Sequence, residues 1–343
     1  MFSNLRIIAL SVLFHASALA EPVQWGINGH PLTQEGYWQV PLDDQLDLVK
    51  ESGATWYRIS FGFDGYRANT ARFEEILRKA EKRNLRLLPV LMPPKGFYDG
   101  SKPLAQIKEE SEAFGKSMAD RYKGRITHWE LGNELDAYSM IKKGEKTLSG
   151  KEWKWDGAPD GKSPDDYATV RYERCREFFK SLQQGIKQAD PDALTMIDTA
   201  GWLHYGFLQR LKDDGVNDYD ILAWHWYSEM GPLTAASTDK IDIIKLLKDA
   251  HGKPIWLTEI NRRDGSKGGK EKEQADYIGG PIGDLAKHPD IKAVFLYELL
   301  DEPYFGESGE SHYGLAEISK QSGKWKASGK KPAFEAFKVL TGK

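Results

Sequence analysis

Two glutamates stand where two apolar segments of the sequence end. Glu134 closes the segment 129–134, and Glu259 closes the segment 255–259. A carboxylate directly after a buried strand is costly to desolvate and seldom serves packing alone. Two opposed carboxyl groups roughly 5 Å apart suit glycosidic bond cleavage, because one protonates the leaving oxygen while the other attacks the anomeric carbon. The pair predicts this chemistry if the fold makes the two side chains face each other.

The elements around the two glutamates alternate between short apolar runs and longer amphipathic runs. Strands are predicted at 23–27, 55–61, 86–91, 126–131, 194–198, 221–227, 254–259 and 291–297. Helices are predicted at 42–51, 71–83, 104–121, 165–187, 240–250, 271–287 and 332–339. Such alternation implies a parallel sheet, and eight repeats predict an α/β protein with a (β/α)8 TIM barrel. Strands four and seven then lie on opposite sides, so Glu134 and Glu259 face each other across the barrel mouth.

Two long connections leave the face of the barrel where the two glutamates lie. Residues 136–162 follow the fourth strand and residues 301–329 follow the eighth, and long connections at this face are commonly functional. Several aromatic and polar residues fall in or near this face, and aromatic rings stack on the C–H faces of sugars. The predicted substrate-binding residues are His30, Trp153, Trp155, Trp202, Trp226, Tyr297 and Glu298.

The strand ends resemble those of clan A retaining glycoside hydrolases. That clan ends its fourth strand in Asn-Glu, matched by Asn133-Glu134, and its seventh in the nucleophile, matched by Glu259. The resemblance implies that Glu134 is the acid/base and Glu259 the nucleophile. Four further residues, at or beside positions that match the clan's strand ends, are predicted to support catalysis: Arg58, Asn133, His225 and Tyr227.

Physical reasons accompany two of these roles, and the resemblance alone supplies a third. A neighbouring Arg58 favours the ionised form of a nucleophilic carboxylate. The resemblance implies that Tyr227, in the His-x-Tyr pattern of the sixth strand, donates a hydrogen bond to the nucleophile. Asn133 is placed to bind the sugar 2-hydroxyl, a contact that strengthens in the transition state. The segments 26–30 and 297–302 look closest to family 39-like, or family 5-like, bacterial β-glycosidases, including exopolysaccharide hydrolases.

Three other carboxylates lie near the same strand ends. Alternation along the fourth strand puts Glu130 on the face of Glu134, where we expect it to support the site rather than react. Glu298 and Asp301 follow the eighth strand, and the sequence leaves open whether they serve the site or the packing.

The first twenty residues predict a signal peptide. Arg6 precedes the apolar run 7–14, and Ala18-Leu19-Ala20 supplies small residues for cleavage. We therefore expect a secreted or periplasmic protein with a single catalytic domain over residues 21–343. The single cysteine, Cys175, excludes an intramolecular disulfide and is expected to be structural.

The numbers of charged residues limit the classes of binding partner. The 48 Lys and Arg against 51 Asp and Glu give a formal charge of −3, which indicates neither a nucleic-acid nor an anionic membrane partner. The expected substrate is a β-linked polysaccharide, such as a glucan, mannan or bacterial exopolysaccharide, cleaved internally. We expect no cofactor, no metal, no membrane contact after signal cleavage, and a monomer.

Two other functions remain open at this point. A metal-dependent barrel hydrolase needs clustered His and Asp ligands, whereas the 8 histidines form no His-x-His pair. A non-catalytic carbohydrate-binding barrel would keep aromatic platforms but has no need of two opposed glutamates.

Overall fold

Eight short strands form a closed parallel barrel, and each overlaps one of the predicted segments. The computed structural model describes residues 22–62 and 66–343, without the side chains of residues 66–68; the predicted signal peptide, residues 1–20, lies outside this part of the chain. The ring closes where the first strand pairs with the eighth. The predicted (β/α)8 TIM barrel is thereby confirmed. Its strands are β1 Gln24–Gly29, β2 Trp56–Phe61, β3 Arg86–Leu91, β4 His128–Leu131, β5 Leu194–Ile197, β6 Ile221–Tyr227, β7 Ile255–Asn261 and β8 Ile291–Leu296.

Helices follow the strands and cover the outside of the barrel. Leu42, Leu46 and Val49 recur at helical spacing and are all buried, which explains why that segment packs against the sheet. No helix in the described ranges is long and apolar enough to cross a membrane. The helices are α1 Glu35–Gln39, α2 Leu42–Glu51, α3 Tyr66–Glu81, α4 Leu104–Tyr122, α5 Leu135–Ser139, α6 Thr169–Ala189, α7 Tyr205–Asp213, α8 Ile243–His251, α9 Glu271–Tyr277, α10 Gly283–Leu285 and α11 Pro332–Leu340.

Two predicted helices are interrupted. The segment predicted at 165–187 begins as a short 3-10 turn, Pro164–Asp166, capped by the Ser163 side chain, and α6 starts only at Thr169. The segment predicted at 271–287 passes through a π-helical turn, Ile278–Ile282, between α9 and α10. Pro281 lies in that turn and lacks the amide hydrogen that a regular helix needs.

The connection after β8 has structure of its own, which the sequence prediction missed. It contains the antiparallel hairpin of β9 Ala316–Gln321 and β10 Lys324–Lys330. Ser322 and Gly323 form its tight turn with φ of 51° and 78°, the positive values that favoured two-residue hairpin turns require. The hairpin packs Trp325 against Tyr304, so this long connection is an ordered part of the barrel rim.

An aromatic layer fills the lower part of the barrel. Trp56, Trp256 and Phe295 pack together there with His128, which stacks on Trp256. Side chains two positions apart on a strand share a face. The residues two positions further along the same strands therefore form the next inward-facing layer. That layer is polar, and it lies where the carboxyl ends of the strands open to solvent.

Candidate active site

The polar layer stands directly above the aromatic layer. Arg58 lies two residues after Trp56, Glu130 two residues after His128, and His225 two residues after Ala223. Asn28 and Asp198 occupy the corresponding positions on β1 and just after β5. All five side chains are buried. The period of two along each strand therefore assembles a ring of polar groups on an apolar floor.

Glu134 reaches the barrel mouth through an unusual backbone turn. Gly132 has φ of 77°, and Glu134 adopts φ 50° and ψ 40°, in the left-handed region, just before α5 begins. Non-glycine residues enter this region at a cost of about 1–3 kcal/mol, so surrounding contacts must hold them there. The amide of Glu134 donates to Asp198 Oδ1 at 2.9 Å, which supplies one such contact.

A β-bulge places Glu259 inside the barrel. The register between β6 and β7 shifts so that Trp224 pairs with Leu257 while His225 pairs with Glu259. The extra residue, Thr258, donates to Glu130 at 3.0 Å, so two consecutive side chains face the interior. Bulges re-aim side chains in this way, commonly next to active sites.

Two hydrogen-bond donors hold the carboxylate of Glu259. Arg58 Nη1 donates to Oε1 at 2.7 Å, and the Tyr227 hydroxyl donates to Oε2 at 2.9 Å. Donors to both oxygens fix the orientation of this carboxylate in the cavity.

His225 lies between the two glutamates. Its Nδ1 is 2.8 Å from Glu134 Oε1 and 3.7 Å from Glu259 Oε2. One oxygen of each glutamate lies within 4.8 Å of one oxygen of the other. Burial lowers the pKa of His225, but the charges of Glu259, Glu134 and Asp198 outweigh burial and raise it to about 9.

Arg58 is the centre of the polar layer. It donates to both oxygens of Glu130 at 2.6 and 3.0 Å, and to Asn28 Oδ1 at 2.7 Å and Asn133 Oδ1 at 2.8 Å. Burial lowers the pKa of this guanidinium, yet the charges of Glu130 and Glu259 raise it above its ordinary value. Its contact with Glu130 agrees with the prediction that this carboxylate supports the site.

A polar cavity of about 580 Å³ opens above these groups. Seven of the predicted residues line it, and His225 lies beneath Glu134, fully buried. The predicted residues that line the cavity are His30, Arg58, Asn133, Glu134, Tyr227, Glu259 and Tyr297.

Two predicted substrate-binding residues are buried, so those predictions were wrong. Trp226 lies between His225 and Tyr227, and alternation turns it outward into the helix layer, where its indole donates to Gly231 O. Glu298 is also fully buried, with Oε2 accepting from Tyr37 at 2.7 Å. Burial and the charge of Glu302 raise the pKa of Glu298.

Three predicted tryptophans do not line the cavity. Trp153 pairs with Glu145 through its backbone and donates from its indole to Gly157 O, so this loop folds on itself. Trp155 is 74% exposed on the same loop. Part of that loop lines a separate hollow beside α5. Trp202 packs against the helix-layer core.

Loop residues that the prediction missed complete the cavity wall. They come from the connections after β6, β7 and β8: Glu229, Arg263, Asp264, Ser308, Gly309, Glu310 and Tyr313. Glu310 accepts from the Tyr297 hydroxyl at 2.8 Å. Burial and the charges of Glu259 and Glu134 raise the pKa of Glu310.

Asp198 was also missed as a site residue. It follows β5 directly, and alternation after Met196 was the available signal. Its Oδ2 lies 3.3 Å from Arg58 Nη2 and 3.5 Å from His225 Nε2. Burial raises the pKa of Asp198, and the positive charges of His225 and Arg58 oppose that rise.

Within the described part of the chain, three groups of His, Asp and Glu bring atoms within 4.8 Å of one another. In two of them, Arg58 already contacts a carboxylate and supplies positive charge. We assign a metal to none of the three, and the absence of metal and cofactor stays a prediction. The groups are His30 with Glu298 and Glu302, Glu130 with Asp198 and His225, and Glu134 with His225 and Glu259.

Residues 166–313 match the sequence model of a family described as glycosyl hydrolase catalytic core. The matched segment spans β5 to β8 and includes Glu259 but not Glu134. With the barrel fold, this match confirms the prediction of a glycoside hydrolase. No curated protein sequence matches the chain.

Solved structures with the same fold include enzymes of two glycoside hydrolase families. A family 39 glycoside hydrolase from Bacteroides cellulosilyticus WH2 is 18% identical with a TM-score of 0.62; the alignment covers 93% of this chain but 63% of that one. The family 1 β-glucosidase from Thermotoga maritima is 12% identical with a TM-score of 0.65, covering 94% of this chain and 97% of that one. These likenesses show the barrel fold, and the predicted resemblance to clan A and family 39-like enzymes is confirmed.

Proposed function

We propose that this glycoside hydrolase is a retaining β-glycosidase that cleaves a β-linked polysaccharide by double displacement. Glu134 is the acid/base and Glu259 the nucleophile. The observation that carries the proposal is the separation of the two carboxyl groups, whose nearest oxygens lie within 4.8 Å. Retaining enzymes hold their carboxyl groups about 5–5.5 Å apart, whereas inverting enzymes leave about 6.5–9.5 Å for a water molecule.

In the first step, Glu259 attacks the anomeric carbon while Glu134 protonates the glycosidic oxygen. Arg58 and Tyr227 hold the attacking carboxylate in place. In its protonated form, His225 donates from Nδ1 to Oε1 of Glu134, which leaves Oε2 to carry the transferred proton. The carbon–oxygen bond breaks, the aglycone leaves with that proton, and a glycosyl ester forms on Glu259.

In the second step, Glu134 acts as a base. Glu134 has given up its proton to the aglycone in the first step, so its carboxylate is free to accept one. It takes a proton from water as the water oxygen attacks the anomeric carbon, and Glu259 leaves as a carboxylate. Asn133 Oδ1 is held by Arg58, which leaves its amide hydrogens for the sugar 2-hydroxyl.

Product stereochemistry tests this mechanism. Proton NMR of the first-formed hemiacetal from a β-linked substrate should show the β-anomer before mutarotation. An initial α-anomer would refute double displacement. Reducing-sugar release should also disappear in Glu259→Gln, whereas a carbohydrate-binding barrel would release none in the parent protein.

We further propose endo-action on a glucan, mannan or bacterial exopolysaccharide. The loops after β7 and β8 form a wall on one side of the cavity, but β3 and β4 contribute only Met92, Asn133 and Glu134 near their strand ends. A glycan chain can extend over this lower side, where successive sugars would add binding energy far from the cleaved bond. A series of β-linked oligosaccharides checks this, since kcat/KM should rise with chain length. Greatest activity on monosaccharide aryl glycosides would refute it.

Secretion to the periplasm or the medium is part of the same proposal, because a polysaccharide substrate lies outside the cytoplasm. It rests on the sequence of residues 1–20. Amino-terminal sequencing of the exported protein should start near Glu21. We propose that this exported form is a monomer, which light scattering would check.

A further inference from the structure

Asp198 contacts Glu134 both directly and through His225, yet it does not line the cavity. Its Oδ1 accepts from the Glu134 amide at 2.9 Å, and its Oδ2 lies 3.5 Å from His225 Nε2. The other nitrogen of the same imidazole, Nδ1, lies 2.8 Å from Glu134 Oε1. Asp198 thus contacts the main chain of Glu134 and the ring that holds its side chain.

These two contacts matter because Glu134 sits in the left-handed backbone region. That conformation aims the side chain into the cavity but is unfavourable for a residue with a Cβ atom. The acceptor that Asp198 supplies to the part-buried Glu134 amide offsets this cost, since a hydrogen bond to a charged group is lost without it. Asp198 is itself fully buried.

The charges around Asp198 keep it in place. Arg58 on β2 contacts it at 3.3 Å, and His225 on β6 adds a second positive group at 3.5 Å. Glu130 on β4 opposes these two with its negative charge. The side chain therefore has attractive partners on two sides of the barrel and a hydrogen-bond donor, Glu134, at its mouth.

We propose that Asp198 is a positioning residue that holds Glu134 in the geometry needed for proton donation. This deepens the proposed function, since it rests on Glu134 being the acid/base. Asp198 also contacts Arg58, but Arg58 keeps its shorter bonds to Glu130 and Glu259 when Asp198 is lost. The loss of Asp198 should therefore impair mainly the steps that need proton transfer by Glu134. Attack by Glu259 on a substrate whose leaving group needs no proton should be largely spared.

The test compares Asp198→Ala with Asp198→Asn on two leaving groups. The substrates are phenyl and 2,4-dinitrophenyl β-glycosides of glucose, mannose and xylose, since phenol needs protonation to leave and dinitrophenol does not. Asp198→Ala should lower kcat/KM about 100-fold for the phenyl glycoside, the lower range of general-acid contributions, and less than about threefold for the dinitrophenyl glycoside. Asp198→Asn keeps an acceptor for the Glu134 amide and should lose less on the phenyl glycoside.

A measurement without substrate accompanies the kinetics. Hydrogen exchange at the Glu134 amide should become fast in Asp198→Ala and stay slow in Asp198→Asn. Thr195→Val is the control. Thr195 lies on β5, the strand that Asp198 follows, and its buried hydroxyl is bonded to Gln183 and Asp220. Removing this hydroxyl should leave both the kinetics and the Glu134 exchange unchanged.

Each outcome decides the proposal. An equal loss on both leaving groups, no loss on either, or slow Glu134 exchange in Asp198→Ala would overturn it. If the unmodified enzyme cleaves none of the six glycosides, that result counts against the proposed function or its sugar range. The exchange comparison still decides whether Asp198 holds Glu134.

Discussion

Arg58 Nη1 lies 2.7 Å from Glu259 Oε1, and both side chains are more than nine-tenths buried. The same guanidinium binds Glu130 and contacts Asp198, so one cation compensates three carboxylates. The position of the nucleophile and the stability of the barrel mouth therefore depend on the same side chain.

Replacing Arg58 by Met should destabilise the protein strongly. Removing one partner of a buried ion pair typically costs about 3–5 kcal/mol, because the remaining charge is left unpaired. Denaturant unfolding measures the change in the free energy of unfolding. Arg125→Met is the matched control: Arg125 pairs with Glu74 and Glu81 at the surface, where a pair contributes about 0–1 kcal/mol. Similar losses in the two variants would contradict this account of Arg58.

The two glutamates should fail in different ways when each is replaced by Ala. Glu259→Ala forms no glycosyl ester, so azide should take the place of the nucleophile and give an inverted glycosyl azide. Glu134→Ala should still react with an activated aryl glycoside, and azide should then give a retained adduct. With unactivated substrates, Glu134→Ala should be slower by about 10²–10⁴-fold. Identical azide products from both variants would show that the roles are assigned wrongly.

The strand-end residues could be predicted from sequence because the barrel fixes them by period and order. Arg58 and Glu130 follow from the inward-facing period of β2 and β4, whereas Glu134 was predicted from the Asn-Glu pattern just past β4, where a left-handed turn brings it to the cavity. The same period shows that Trp226 cannot line the cavity, since it lies between the inward-facing His225 and Tyr227. The alternation that turns Glu130 inward on β4 turns Trp226 outward on β6.

The loop residues could not be placed in this way. Glu310 reaches the cavity because the loops after β7 and β8 bind each other, with Ser266 N donating to His312 O and Asp264 N to the Tyr313 hydroxyl. These partners are more than forty residues apart in sequence, so no local pattern reports the contact. Trp153 shows the converse, because its loop satisfies its own backbone hydrogen bonds and folds away from the cavity.

Stability should depend on pH through Glu302. Burial raises the pKa of this carboxyl from 4.5 in the unfolded chain to about 8. The folded state therefore binds the proton more tightly, and the free energy of unfolding falls as pH rises from about 4.5 to about 8. Glu302→Gln removes this dependence while keeping an oxygen that can accept from Tyr304. We expect the variant to gain at least about 2 °C in Tm relative to the parent at about pH 9, and little at about pH 5.

Calorimetry at both pH values checks the Glu302 prediction. Glu109→Gln, at an exposed position, is the control and should change Tm by the same small amount at both pH values. An equal shift for Glu302→Gln at the two pH values would refute the linkage.

Glu310 and Trp155 should differ sharply in their effect on substrate binding. Glu310 lines the cavity, half-buried and bonded to Tyr297, so its carboxylate is placed to accept from sugar hydroxyls. A hydrogen bond to a charged group contributes about 1.5–3 kcal/mol, which corresponds to roughly a 10- to 150-fold loss of kcat/KM in Glu310→Gln. Trp155 lies outside the cavity on the loop after β4, so Trp155→Ala should stay within about twofold of the parent. Steady-state kinetics on β-linked oligosaccharides of increasing length measure both. A loss in Trp155→Ala that grows with chain length would show that this loop belongs to the binding groove after all.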